Sequence, residues 1–185
     1  MKNSSPGLVG IPAPHRHGTF DQEPFADYMR RWPVHFAHVP EAVIETWIYR
    51  HWNDFQAWLP MEPLSWEYAV VSMSNEEILS IGHVSDWPKT LRGWGDDLFD
   101  GKHRLNTWLG RYMLASGTMP APIIVAVNAG SHVHPREHEK MRAPYQLIEG
   151  HLRLAYLQAM IRRKHESLQL SHTVVIATFP AMQVR

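Results

Sequence analysis

Glu149, Gly150, His151 and Arg153 are the residues whose types and spacing best suit chemistry. They lie in YQLIEGHLRLAYLQAMIRR, Tyr145 to Arg163. The pattern predicts a short apolar strand that turns at Glu149-Gly150-His151 into an amphipathic helix opening with Arg153. A glycine at a strand-to-helix turn lets backbone N–H groups approach a ligand closely. The unpaired N–H groups of the helix's first turn carry a positive bias, so anions collect there. Arg153 adds a cation, and His151 adds another when protonated, so the corner suits a phosphate. Glu149 beside it has the chemistry to bind magnesium or to accept a hydroxyl proton, two tasks of phosphoryl transfer. The competing expectation is that Glu149 pairs with Arg153 or caps the helix.

Other segments offer rival chemistry. Asp100-Gly101-Lys102-His103-Arg104-Leu105 repeats the pattern before a helix. YQLI gives the later copy a plausible strand, whereas GWGDDLF is a poor one, so the later copy is preferred, and Lys102, His103 or Arg104 can still join the same cleft. His132, His134 and Glu139 have the His-x-His-x₄-Glu spacing of a cupin metal site. Thirteen histidines make chance clustering common, however, and a strong helix follows where a cupin needs more strands. Trp47, Trp52, Trp58 and Trp66 read as core before they read as a stacking platform for bases. Arg162-Arg163-Lys164 reads as a solvated helix end.

The elements that position these residues follow from periodicity and punctuation. Residues 1 to about 40 are rich in Pro, Gly and His and read as an irregular arm. From Glu41 to Leu59, Ile44, Ile48, Trp52, Phe55, Trp58 and Leu59 recur at spacings of three and four, predicting one helix that Pro60 ends. WEYAVV reads as a strand and SNEEILSIG as a short capped helix. Trp87 to Asp100 reads as loop or broken helix, and Arg104 to Ala115 as a helix stopped near Gly117. PIIVAV is too short and too β-branched for a helix and reads as a buried strand, and HTVVIATF reads as the last strand. Leu154, Leu157 and Ile161 would form one face of the helix after the turn. The succession indicates an α/β or α+β domain.

Composition narrows the function classes. At 185 residues and 44% apolar, the chain can bury a real core. Lys plus Arg equals Asp plus Glu at 18 each, which argues against a protein whose main task is gripping duplex DNA. Cysteine is absent, removing disulfides, thiolate metal sites and cysteine nucleophiles. The N-terminus lacks the apolar stretch of a secretory signal, and no run approaches the ~18 apolar residues of a membrane span. The expectation is a cytoplasmic protein of bacterial type.

PAPIIVAVN, a polar loop, YQLIEGHLRLAYLQAM and a closing strand together resemble the ParB/sulfiredoxin superfamily. Its Asp-Gly-His-x-Arg turn is similar to Glu149-Gly150-His151-Leu152-Arg153. The likeness runs over roughly Leu105 to Pro180, less fully from Trp66, and leaves the first sixty or so residues uncovered. It implies a ParB/sulfiredoxin-like domain over 63–185, preceded by an N-terminal arm and helix over 1–62. It also implies a site for the phosphates of ATP, ADP or CTP, often with magnesium. Gly150 would be the close-approach position, His151 the polar contact and Arg153 the phosphate arginine, with Glu149 and His151 catalytic and Glu149 the magnesium ligand. The expected function is nucleotide binding with phosphotransfer or NTP hydrolysis, the partners being the nucleotide and a second small-molecule or protein substrate. Three departures limit this. Sulfinic acid reduction needs a cysteine, and the DNA-reading region of partition proteins has no counterpart in this sequence. The Gly-Glu-Arg-Arg turn of CTP-dependent members is replaced as well. A DNA-associated accessory or nuclease-like protein and a non-enzymatic interaction module stay open as alternatives.

Overall fold

Five consecutive apolar residues, Ile123–Val127, form the central strand of a five-stranded mixed sheet. In this computed structural model residues 10–127 and 129–179 are described, and the chain divides into two compact units, 1–68 and 69–185. The sheet strands are β1 (Glu67–Ser74), β2 (Ile81–Gly82), β3 (Ile123–Val127), β4 (Tyr145–Glu149) and β5 (Ser171–Thr178), in the order β1-β5-β3-β4-β2. A strand covered on both faces is apolar throughout rather than alternating. Ile123, Ile124, Val125 and Ala126 are accordingly all fully buried. β3 runs parallel to β5 and antiparallel to β4, and β4 runs parallel to β2. The architecture is mixed α/β, as the succession of elements predicts.

Four helices matter to the site: α1 (Asn75–Ser80), α2 (Trp87–Asp100), α3 (Trp108–Ser116) and α4 (His151–Arg162). α1 starts on a capping box in which Ser74 and Glu77 each bond the other's backbone N–H. α2 corrects the expectation of a loop or broken helix between Trp87 and Asp100: the helix is continuous. Pro88 lies in its first turn, where the missing N–H costs nothing. Gly95 sits against α4, where a Cβ would stand 2.5 Å from the Ala155 carbonyl oxygen. This glycine marks close helix packing, not a break.

The helix predicted from Arg104 is also displaced. Lys102–Leu105 makes a separate helical turn, and α3 begins only after Thr107, whose hydroxyl accepts the Gly110 N–H at 3.0 Å. α4 buries more than the single face expected of Leu154, Leu157 and Ile161. Ala155, Tyr156, Ala159 and Met160 are buried too, because α1, α2 and α3 all pack around it.

In the first unit, the single helix expected from Glu41 to Leu59 is broken. A helical turn at Glu41–Val43 widens over Ile44–Tyr49, where the Arg50 N–H reaches back to the Glu45 carbonyl. The chain then restarts as Trp52–Gln56, and Pro60 lies inside the following turn, Leu59–Met61. The wider turn buries Thr46, Trp47 and Ile48 in succession, which a stripe at spacings of three and four does not. The reading of the tryptophans as core holds. Trp47, Trp52, Trp58 and Trp66 are all buried, with Trp47 edge-on to Phe55 and Trp58 and stacked on Trp66. The arm expected over the first forty residues contains a helix, Phe25–Arg30, whose Tyr28 hydroxyl donates to the Pro12 carbonyl; residues 1–9 lie outside the described residues.

Candidate functional site at the Gly150 turn

β4 ends at Glu149, and Gly150 turns the chain with φ +102°, in the left-handed region that favours glycine. A Cβ here would stand 2.4 Å from Ile123 Cγ2 and 3.2 Å from Arg153 Nε, so the turn is seated tightly on the central strand. α4 starts at His151, two residues before the expected Arg153. Its first intrahelical bond runs from the Leu154 N–H to the Gly150 carbonyl at 2.8 Å. Gly150 brings no side chain to cap the helix, so its positively biased end gains nothing from a capping oxygen.

The side chains around this turn are mostly withdrawn from solvent. Arg153 Nη2 and the Glu149 carboxylate form an ion pair whose partners are 14% and 12% exposed. The pairing expected as an alternative to a chemical role for Glu149 is therefore present. Arg153 Nε, however, is buried without a hydrogen-bond partner among the described residues. A buried guanidinium N–H left unsatisfied is costly, and an anionic oxygen is the group that relieves it.

His151 leads to residues that sequence spacing does not reveal. Because β2 and β4 are parallel, both strands deliver their following residues to one end of the sheet. His83 directly follows β2 and His151 lies two residues past the end of β4, and their Nε2 atoms meet at 3.1 Å although 68 positions separate them. His83 is buried and its Nδ1 faces the Val84 carbonyl at 3.3 Å. His134 packs beside it, with ring centroids 5.4 Å apart. His134 Nδ1 accepts the backbone N–H groups of Arg136 and Glu137 at 3.3 and 3.2 Å.

Trp87 closes the group, its ring 4.5 Å from His151 and 5.2 Å from His83. Burial pushes His83 below the ordinary histidine value. Burial, helped by the neighbouring His83, takes His134 down to about 4. The Trp87 indole N–H, donating at 3.2 Å, holds Glu137 below the usual carboxylate range. A cavity of about 210 Å³ lined by Ser85, Asp86, Trp87, Thr90 and Glu137 adjoins the group.

The rival segments go elsewhere. Asp100 ends α2 and is held by Arg163 through two bonds of 3.1 and 2.6 Å. Arg104 lies over the Trp94 ring and donates to the Tyr156 hydroxyl at 3.3 Å. The Lys102 side chain lies outside the described residues. The histidine loop does not make a cupin site. His134 turns inward while Glu139 bonds Ser85 through both carboxylate oxygens, and the sheet is flanked by helices. Among the described residues no group of three or more His, Asp or Glu side chains is placed to hold a metal ion, and no helix is long and apolar enough to cross a membrane. No protein-family model, curated protein or solved structure matches this chain.

Proposed function

We propose that this chain is a nucleotide-binding protein of ParB/sulfiredoxin type, with phosphoryl transfer or hydrolysis at the Gly150 turn. One observation supports the reading: an uncapped helix start follows a left-handed glycine, and the buried Arg153 Nε beside that glycine has no hydrogen-bond partner among the described residues. A phosphate oxygen satisfies that N–H and complements the helix end at once. The strand, loop, strand, turn, helix and strand of 123–178 run in the order that the resemblance requires.

Phosphate arriving at Arg153 competes with Glu149 for the guanidinium. Glu149 then becomes the acceptor for a substrate hydroxyl proton, with His151 the polar contact on its other side. Among the described residues Glu149 pairs with Arg153 and lies in no cluster of metal-binding side chains, so they do not make a protein-built magnesium site.

Thermal unfolding with ATP, ADP, CTP and GTP, each with and without magnesium, tests the proposal. A ligand that binds only the folded state adds about 2.7 kcal/mol at a hundredfold excess over Kd. At least one nucleotide is expected to raise the midpoint. The absence of a shift with all four at millimolar concentration would overturn the reading.

A further inference from the structure

His83 lies outside the strand-turn-helix pattern, yet its ring faces a residue of the proposed site. The pair His83 and His151 meets through two Nε2 atoms 3.1 Å apart, so one must carry a hydrogen and the other a lone pair. Which is which follows from what lies behind His83. Its Nδ1 faces the Val84 carbonyl at 3.3 Å, and a carbonyl oxygen accepts only, so Nδ1 carries the hydrogen. His83 is 2% exposed and kept neutral by burial, so it holds no second hydrogen. Its Nε2 is therefore the acceptor and His151 Nε2 the donor.

We propose that His83 is a positioning residue that fixes neutral His151 as the Nε2–H tautomer and so leaves its lone pair on Nδ1. Any proton that His151 takes from a substrate or returns to it passes through Nδ1. That consequence rests on the nucleotide reading, whereas the tautomer itself does not. The setting holds both rings in place. Trp87 packs on the two of them, His134 packs on His83, and the Arg142 guanidinium donates to the His83 carbonyl at 3.2 Å. His134 is locked in turn, since its Nδ1 accepts two backbone N–H groups and its hydrogen lies on Nε2. A second-layer hydrogen bond that selects the tautomer of a functional imidazole is a general device.

Ring nitrogen NMR on histidine-labelled protein without nucleotide tests the proposal. Spectra are taken at mildly alkaline pH, where the rings are neutral, and His151 is assigned by the signals lost in His151→Asn. Wild type is expected to show a protonated Nε2 and a bare Nδ1 at His151. His83→Phe keeps an aromatic ring but removes the acceptor, and should shift both His151 nitrogens away from the wild-type values. His83→Gln offers a carbonyl oxygen and should restore the wild-type pattern. A proton found on His151 Nδ1 in the wild type overturns the proposal, even if neither variant folds. So does a pattern unmoved in His83→Phe. Since no nucleotide is present, failure here leaves the thermal unfolding result standing, and the reverse holds equally.

Discussion

Two stretches of this chain are spelled almost alike and built quite differently. Asp100-Gly101-Lys102-His103-Arg104 and Glu149-Gly150-His151-Leu152-Arg153 each place an acid and a glycine ahead of a helical arginine. Gly150 follows a strand, takes φ +102° and presses on the central β3. Gly101 follows a helix, with φ −104°, a conformation open to any residue. Arg153 is drawn inward to Glu149, whereas Arg104 lies across Trp94 and Asp100 reaches an exposed Arg163. The letters alone do not set the shape of the turn. What sets the Gly150 turn apart is a buried strand that leads into a left-handed glycine and then a helix with no side-chain cap.

Substitution of the two glycines should separate the turns most sharply. Gly150→Ala combines left-handed strain with a methyl group driven against Ile123, each costing about 1–3 kcal/mol, so a loss of roughly 3 kcal/mol is expected in urea denaturation. Gly101→Ala retains an ordinary φ, and relief of its contact with the Asp97 carbonyl should cost about 1 kcal/mol. Equal losses would erase the distinction.

Acid offers the next contrast. His83 and His134, beside the Gly150 turn, stay neutral in the fold but gain protons when the chain unfolds. Because their folded values are lowered, their stabilisation is complete above the unfolded value of about 6.5. It declines as pH falls from there toward about 4, the folded value of His134. The decline is up to ~1.4 kcal/mol per pH unit for each histidine. His134→Gln should flatten the curve in that window, and an unchanged slope would show that His134 titrates normally in the fold.

The smallest effect belongs to the other turn. Asp100 and Arg163 form an exposed pair, open to screening by salt. Asp100→Asn should leave the denaturation midpoint unchanged within error at physiological ionic strength. A clear loss would mean that this turn too is structurally committed.

How far such differences can be read from sequence depends on whether the deciding contact is local. PIIVAV announces a strand because burial on both faces keeps polar residues out of it, whereas YQLI and HTVVIATF announce theirs as short runs rich in β-branched and aromatic residues. The Ser74–Glu77 capping box is legible for the same reason, since its partners are three residues apart. α2 is not legible: what justifies Gly95 is the Ala155 backbone, sixty positions further on. His83 is the extreme case, because only the parallel pairing of β2 with β4 brings it to His151. Within the candidate site, the turn glycine and the Glu149–Arg153 spacing are local and were readable. The buried histidines behind them were not.

Backbone amide NMR during titration with ADP tests the central claim most directly, since it reports on unaltered protein and on both turns at once. The account predicts progressive, saturable shifts at the amides of Gly150, His151, Leu152 and Arg153, with those of Lys102 to Leu105 unmoved. Shifts confined to Lys102 to Leu105, or no saturable shift at the Gly150 turn, would contradict it.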